Sequence, residues 1–211
     1  IILAVDTPDL DTAQRWIEAT QDYVSVYKLG LEFFLTFGHE GVTRIKGVTD
    51  ADIFLDLKLH DIPHTVGASA SAVHSLQPRF LTVHASGGRA MINAAVQALP
   101  STDVTAVTVL TSLSEEDLFE IGFANNALES AVALAKMSVA AGARAIVCSP
   151  LEIAAIRSAV GDDPHIITPG VRPAGSSGTD DQKRTMSPQA AIRAGASYVV
   201  IGRPITQTWA Q

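Results

Sequence analysis

The segment Asp56-Leu57-Lys58-Leu59-His60-Asp61-Ile62-Pro63 sets two carboxylates and an ammonium directly behind the apolar run Ile53-Phe54-Leu55. Residues two apart on a strand share a face, so Asp56 and Lys58 point the same way where such a strand ends. Opposite charges are presented together there, and burying them unpaired would cost several kcal/mol per ion. A structural salt bridge would account for these residues as well as a reactive site would, because ion-pair networks also form without function. Farther along, Gly170 and the triplet Gly202-Arg203-Pro204 have the makings of an anion site. Loop and helix N-terminal amides can hold a phosphate while Arg203 adds a bidentate charge. Pro204 suits the first helical position, where its missing N–H costs nothing. An ordinary turn and helix cap with a solvated arginine is the alternative for that motif alone.

Eight short β-branched runs recur along the chain and could carry these groups: 1–5, 24–29, 53–57, 80–83, 104–110, 145–148, 166–168 and 198–201. Segments with helical spacing lie between most of them, at 10–19, 66–76, 90–99, 127–141, 151–160 and 188–194. Continuous apolar strands alternating with helices imply a parallel sheet covered by helices. Eight such units in 211 residues imply an α/β fold of the (β/α)8 barrel type, a single domain over residues 1–211. A doubly wound open sheet is the second reading. The last helix would have to follow Gln211, so a C-terminal segment is expected to be missing, and a start at Ile1 without Met suggests trimmed ends. The long irregular stretch 171–186 is polar, rich in Gly and Ser, and reads as a mobile lid.

In such a barrel the site lies where the strands end. The strand ends here are unusually polar: Asp6, Lys28, Asp56 with Lys58, His84, Thr111 with Ser112, Pro169-Gly170-Val171-Arg172, and Gly202-Arg203. A purely structural barrel has no reason to gather two Lys, two Arg and two Asp on one rim.

Composition narrows the function classes. A net charge of -7 argues against general binding to nucleic acid or an anionic membrane, which needs a basic face, so any phosphate site must be local. Cys148 is the only cysteine; it follows Ala145-Ile146-Val147 and reads as a core thiol, with no disulfide framework possible. No run approaches the roughly 18 apolar residues of a membrane helix and no signal peptide is read, which makes the cytoplasm the expected compartment. Walker, G-x-G-x-x-G, H-E-x-x-H, paired-cysteine and G-x-S-x-G motifs are absent. His84 could in principle ligate a metal, yet strand two ends in Lys28, which would repel one, and strand seven ends in Gly170-Val171. His84 is therefore read as a packing or supporting residue, and His39, His74 and His165 as surface or boundary residues. No metal and no cofactor are expected.

Several motifs together resemble the orotidine 5'-phosphate decarboxylase family over essentially the whole chain. They are Ala4-Val5-Asp6, Tyr27-Lys28-Leu29-Gly30, the stretch from Asp56 through Pro63-His64-Thr65, Val83-His84-Ala85-Ser86-Gly87-Gly88, Val109-Leu110-Thr111-Ser112, Thr168-Pro169-Gly170-Val171-Arg172-Pro173, and Ile201-Gly202-Arg203-Pro204-Ile205-Thr206. The D-x-K-x-x-D pattern is shared with a related sugar-phosphate decarboxylase and a hexulose-phosphate synthase; the Pro169–Pro173 segment and the stretch after it favour the pyrimidine enzymes. His64 departs from the family's usual Asn, which touches local hydrogen bonding and leaves the charges intact.

The resemblance implies cofactor-independent decarboxylation of orotidine 5'-phosphate to uridine 5'-phosphate and CO2 in de novo pyrimidine synthesis. It makes Lys58 the proton donor within an alternating network of Lys28, Asp56, Lys58 and Asp61. Asp6 would bind the ribose hydroxyls with help from Lys28 and Asp61, while Thr65 and Arg203 approach the phosphate beside Pro169 and Gly202. Thr111 and Ser112 would face the pyrimidine edge. Gln182 would bridge base and phosphate from the lid, with Arg172 at the lid's base. A homodimer is also implied, in which Asp61 and Thr65 enter the neighbour's site. Ile62-Pro63 holds the chain extended past strand three, and Ile62 suits a partner surface. The chemistry fits these residue types: loss of CO2 from C6 leaves an sp2 carbanion with no adjacent carbonyl, so electrostatics must carry the reaction. A metal-dependent sugar-phosphate decarboxylase or aldolase, and a non-catalytic phospho-ligand sensor, stand as alternatives. An intact Lys58 argues against the sensor, since a binder needs no proton donor.

Overall fold

The computed structural model describes residues 1–172 and 186–208. Eight parallel strands close into a barrel in sequence order: β1 (Ile2–Ala4), β2 (Val26–Gly30), β3 (Asp52–Leu59), β4 (Phe80–His84), β5 (Asp103–Val107), β6 (Ala145–Val147), β7 (His165–Thr168) and β8 (Tyr198–Ile201). Closure rules out the open doubly wound sheet. Each strand falls on one of the β-branched runs, although β5 stops at Val107 and releases residues 108–110 as a loop onto the rim.

The crossovers carry helices α1 (Leu10–Thr20), α2 (Leu31–Lys46), α3 (Pro63–Ala72), α4 (Gly88–Ala98), α5 (Glu115–Glu120), α6 (Ala127–Ala140), α7 (Ile153–Val160), α8 (Pro188–Arg193) and α9 (Arg203–Thr206). Sequence periodicity does not pick out α2 or α5. Gly38 breaks α2 with φ 57° and ψ -150°, so its apolar residues lose helical phase halfway along. The six-residue α5 is too short to show a period; it opens on a reciprocal capping box between Ser114 and Asp117. Helix α3 starts earlier than the apolar spacing indicates, because Pro63 occupies its first turn.

Along the strands, side chains alternate between two hydrophobic clusters. Ile2, Ala4, Val26, Phe54, Phe80, Ala145, Ile167 and Val200 fill the barrel interior, while Leu3, Tyr27, Leu29, Ile53, Leu55, Leu81 and Val83 face the helices. The interior rows continue upward as charge: Ala4 leads to Asp6, Val26 to Lys28, and Phe54 to Asp56. At the opposite mouth, the buried Asp103 meets Arg79 at 3.0 Å, Arg144 at 3.1 Å and His165 at 3.8 Å. That cluster ties together the beginnings of β4, β5, β6 and β7, the end of such barrels associated with stability. Cys148 is buried. Among the described residues, no helix is long and apolar enough to cross a membrane.

Candidate active site

Lys28 Nζ lies 3.2 Å from Asp6 Oδ1 and 3.5 Å from Asp56 Oδ2, and Lys58 Nζ lies 2.8 Å from Asp56 Oδ1. The strand ends thus produce an unbroken row, Asp6–Lys28–Asp56–Lys58, of alternating sign and no net charge. Side-chain exposure is 60% at Asp6, 12% at Lys28, 13% at Asp56 and 31% at Lys58, so the row is buried at its centre and open at both ends. Burial alone would push the Asp56 carboxyl up. The ammoniums of Lys28 and Lys58, with hydrogen bonds from Lys58 and Thr82, outweigh that and hold it below the ordinary carboxylate value. Burial alone would likewise pull Lys28 down, but the carboxylates of Asp56 and Asp6 raise it above an ordinary lysine. The central pair is therefore ionised at neutral pH.

Asp56 and Lys58 share the inward face, as the alternation of a strand requires, but β3 is not regular there. Leu55 pairs with Leu81 and Leu59 with Val83, so three residues of β3 stand opposite the single residue Thr82 of β4. Lys58 occupies this bulge with φ 47°. A residue with a Cβ pays about 1–2 kcal/mol for that left-handed conformation, which persists only where the surroundings impose it. At the end of β4 the His84 ring sits 5.4 Å from that of His60. Burial lowers the His84 pKa, and the neighbouring His60 and Lys58 push it the same way, so a neutral imidazole stands near the ammonium. Among the described residues, no group of three or more His, Cys, Asp or Glu is placed to hold a metal ion.

A cavity of about 280 Å³ opens over the charged row. Its lining includes Asp6, Lys28, Asp56 and Lys58, the polar side chains of Thr111, Arg172 and Arg203, and the residues Pro169, Gly170 and Gly202. The apolar lining comes from Ala4, Phe54, Val107, Val147 and Val200, with Val109 and Leu110 on the loop after β5. Gly170 holds φ 74°, a left-handed turn that suits glycine and brings backbone to the rim. Helix α9 opens at Arg203, one residue earlier than the sequence reading has it, which leaves Pro204 still in the first turn. Val171 and Met186 form a parallel bridge, and the Arg172 N–H donates to the Met186 carbonyl at 3.0 Å, so the ends of segment 171–186 meet at the cavity. Gln182 lies outside the described residues.

Four expected residues do not line this cavity: Asp61, Ile62, Thr65 and Ser112. The first three are exposed in the turn before α3 and its first residues, Ile62 at 64%. Asp61 Oδ1 accepts the N–H of Ile62 at 2.7 Å. Within one chain, the fourth member of the charged row is Asp6 rather than Asp61. Ser112 follows Thr111 in an exposed turn. Sequence reasoning missed the apolar lining and Thr82. The lining was available from period two, since Ala4 and Phe54 stand two residues before Asp6 and Asp56. Thr82 gives no such signal, because what it faces depends on the β3–β4 register.

The family model for the orotidine 5'-phosphate decarboxylase / HUMPS family matches residues 1–209. The orotidine 5'-phosphate decarboxylase of Thermobifida fusca is 51% identical over 207 residues, spanning 98% of this chain and 88% of its own length. That of Gluconobacter oxydans is 45% identical over 215 residues, with 98% and 90% covered. The crystal structure of orotidine 5'-phosphate decarboxylase from Lactobacillus acidophilus superposes with a TM-score of 0.85 at 34% identity, over 98% of this chain and 91% of that one. With a family model matched over residues 1–209, relatives 45–51% identical over nearly its full length and the same barrel fold, the chain belongs to the orotidine 5'-phosphate decarboxylase / HUMPS family of enzymes.

Proposed function

We propose that this enzyme converts orotidine 5'-phosphate to uridine 5'-phosphate and CO2 in de novo pyrimidine synthesis, without a cofactor. The observation that carries the reading is the row Asp6–Lys28–Asp56–Lys58 along a cavity that Gly202 and Arg203 also line. One end of the cavity offers fixed charge to a reacting ring, and Arg203 with the start of α9 offers a seat for a phosphate. The bond from C6 to the carboxylate breaks, its electron pair stays on C6, and CO2 departs. Lys58 Nζ stabilises that pair by its charge and then gives C6 a proton; water restores the proton to the amine. Asp56 stands against the substrate carboxylate and holds the Lys58 ammonium in place. Asp6 and Lys28 bind the ribose hydroxyls, Thr111 faces the pyrimidine edge, and Pro169 and Gly202 flank the phosphate. Segment 171–186 is proposed as the lid, with Arg172 at its base and Gln182 reaching base and phosphate.

The working unit in this reading is a homodimer in the cytoplasm. Asp61, Ile62 and Thr65 follow Lys58 closely, are exposed, and do not line the cavity of their own chain. They are proposed to complete the neighbour's site, Asp61 beside Lys58 and the ribose, and Thr65 beside the phosphate. A solvent-exposed Ile62 next to charged residues favours a covered surface over an open one.

Ultraviolet absorbance of orotidine 5'-phosphate, followed with chelator present and no added metal, tests the reaction. The orotate absorbance should disappear with formation of one uridine 5'-phosphate per substrate, and the nucleoside orotidine should react far more slowly because it cannot use Arg203. Inactivity under chelation that magnesium or zinc restores would favour the metal-dependent sugar-phosphate reading. No turnover under any of these conditions would favour the sensor.

A further inference from the structure

The β3 bulge places Asp56, Leu57 and Lys58 opposite one residue, Thr82, whose side chain is fully buried. A bulge leaves backbone groups without ladder partners, and a buried orphan N–H is costly. Here the orphan finds a side chain: the backbone N–H of Lys58 donates to Thr82 Oγ1 at 2.8 Å. The Thr82 hydroxyl in turn donates to Asp56 Oδ1 at 3.0 Å. The same Asp56 oxygen accepts from Lys58 Nζ at 2.8 Å. A closed ring results, running from the Lys58 backbone through Thr82 and Asp56 back to the Lys58 ammonium. One hydroxyl uses its acceptor and its donor capacity at once.

We propose that Thr82 is a positioning residue for the decarboxylation: its hydroxyl fixes the left-handed backbone of Lys58 and orients the carboxylate that aims the Lys58 ammonium into the cavity. Thr82 does not itself line that cavity, so it acts only through Asp56 and Lys58. The inference rests on the charge-network reading proposed above. A branched apolar side chain at this position would keep the shape, strand the Lys58 N–H and free the Asp56 carboxylate to turn. Small misplacements of a reacting group reduce turnover steeply while leaving the rest of the binding surface intact.

The experiment compares Thr82→Val, Thr82→Ala and Thr82→Ser in kcat, KM, uridine 5'-phosphate affinity and Tm, with Asp56→Ala as a reference. Thr82→Val and Thr82→Ala should lower kcat about 10- to 100-fold while KM and product affinity stay within about threefold. Thr82→Ser keeps the hydroxyl and should stay within about threefold of the parent kcat, although loss of a buried methyl lowers its Tm. The Asp56 carboxylate loses a donor in the first two variants, so the acid limb of their kcat/KM profile should move to higher pH, and that of Thr82→Ser should not. Should Thr82→Val fail to fold, Thr82→Ala against Thr82→Ser gives the same contrast. Equal kcat losses in the hydroxyl-bearing and hydroxyl-free variants would reduce Thr82 to a stability residue and overturn the proposal. Parent-like turnover in Thr82→Val or Thr82→Ala, with Asp56→Ala inactive, would also overturn it but leave the charge network standing. Full turnover in Asp56→Ala would sink both.

Discussion

Removing the Lys58 ammonium is the sharpest perturbation of the proposed chemistry, and Lys58→Ala does it without relieving the backbone, because alanine keeps the Cβ that makes φ 47° strained. The variant leaves Asp56 with Lys28 at 3.5 Å and the Thr82 hydroxyl at 3.0 Å, and turns a neutral row into one with a net negative charge. An ammonium about 4 Å from a developing carbanion contributes on the order of 4 kcal/mol at an effective dielectric near 20, or about three decades in rate. Loss of the positioned proton donor removes a further 10²–10⁴-fold, roughly. Together these put the fall in kcat at about 10⁵-fold or more. Binding of uridine 5'-phosphate should change far less, because the carbanion it answers is absent from the product and the phosphate seat at Arg203 is untouched. Single-turnover loss of orotate absorbance gives the chemical step, and calorimetric titration with uridine 5'-phosphate gives the affinity. A fall in kcat of less than about 100-fold, or a matching loss of affinity, would refute the assignment and make Lys58 a binding residue.

Two further outcomes follow from the geometry. Inactive Lys58→Ala and inactive Asp61→Ala, mixed and allowed to exchange subunits, should regain up to about a quarter of parental activity, since random pairing makes half the dimers mixed and each has one intact site; exchange without recovery would place Asp61 in its own chain's site. The pH dependence of Tm should reflect Lys28, Asp56 and His84. The folded-state pKa of Lys28 is raised above 10.5 and that of Asp56 lowered below 3.8, so their contribution is full between those values and fades only as pH rises through the first or falls through the second. His84 has the opposite sense for a base: its folded value lies below 6.5, so acidification below pH 6.5 costs stability, and His84→Asn should flatten Tm in that range. An unchanged slope in the variant would show that His84 titrates as it does in the unfolded chain.

Most of the architecture was legible because the chain repeats one local rule eight times. Each strand is a short β-branched run, and period two along it carries the interior row from Ala4, Val26 and Phe54 to Asp6, Lys28 and Asp56. Spacing alone put Asp56 and Lys58 on one face and Asp6 and Lys28 at strand ends, whereas the alternating network came from the resemblance, with Asp61 in the place that Asp6 takes within one chain. Elements that break their own period were harder to read: α2 changes phase at Gly38, and α5 is too short to have a phase. The roles of Asp61 and Thr65 came from resemblance; within one chain both are exposed, around the turn that leads from β3 into α3.

What the sequence determined by itself is the set of charges, their order along the rim and the barrel that gathers them, because alternation and hydrophobic patterning act over a few residues. What only the tertiary structure decided is the fine geometry of Lys58. Nothing in Asp56-Leu57-Lys58 announces a left-handed lysine, and nothing in Phe80-Leu81-Thr82-Val83 announces that one threonine answers three residues of the neighbouring strand. Both follow from the offset between β3 and β4, which barrel closure and the helices on either side impose together. Register between strands distant in sequence is a property of the closed sheet, and the ring linking Lys58, Thr82 and Asp56 exists only once that sheet has closed.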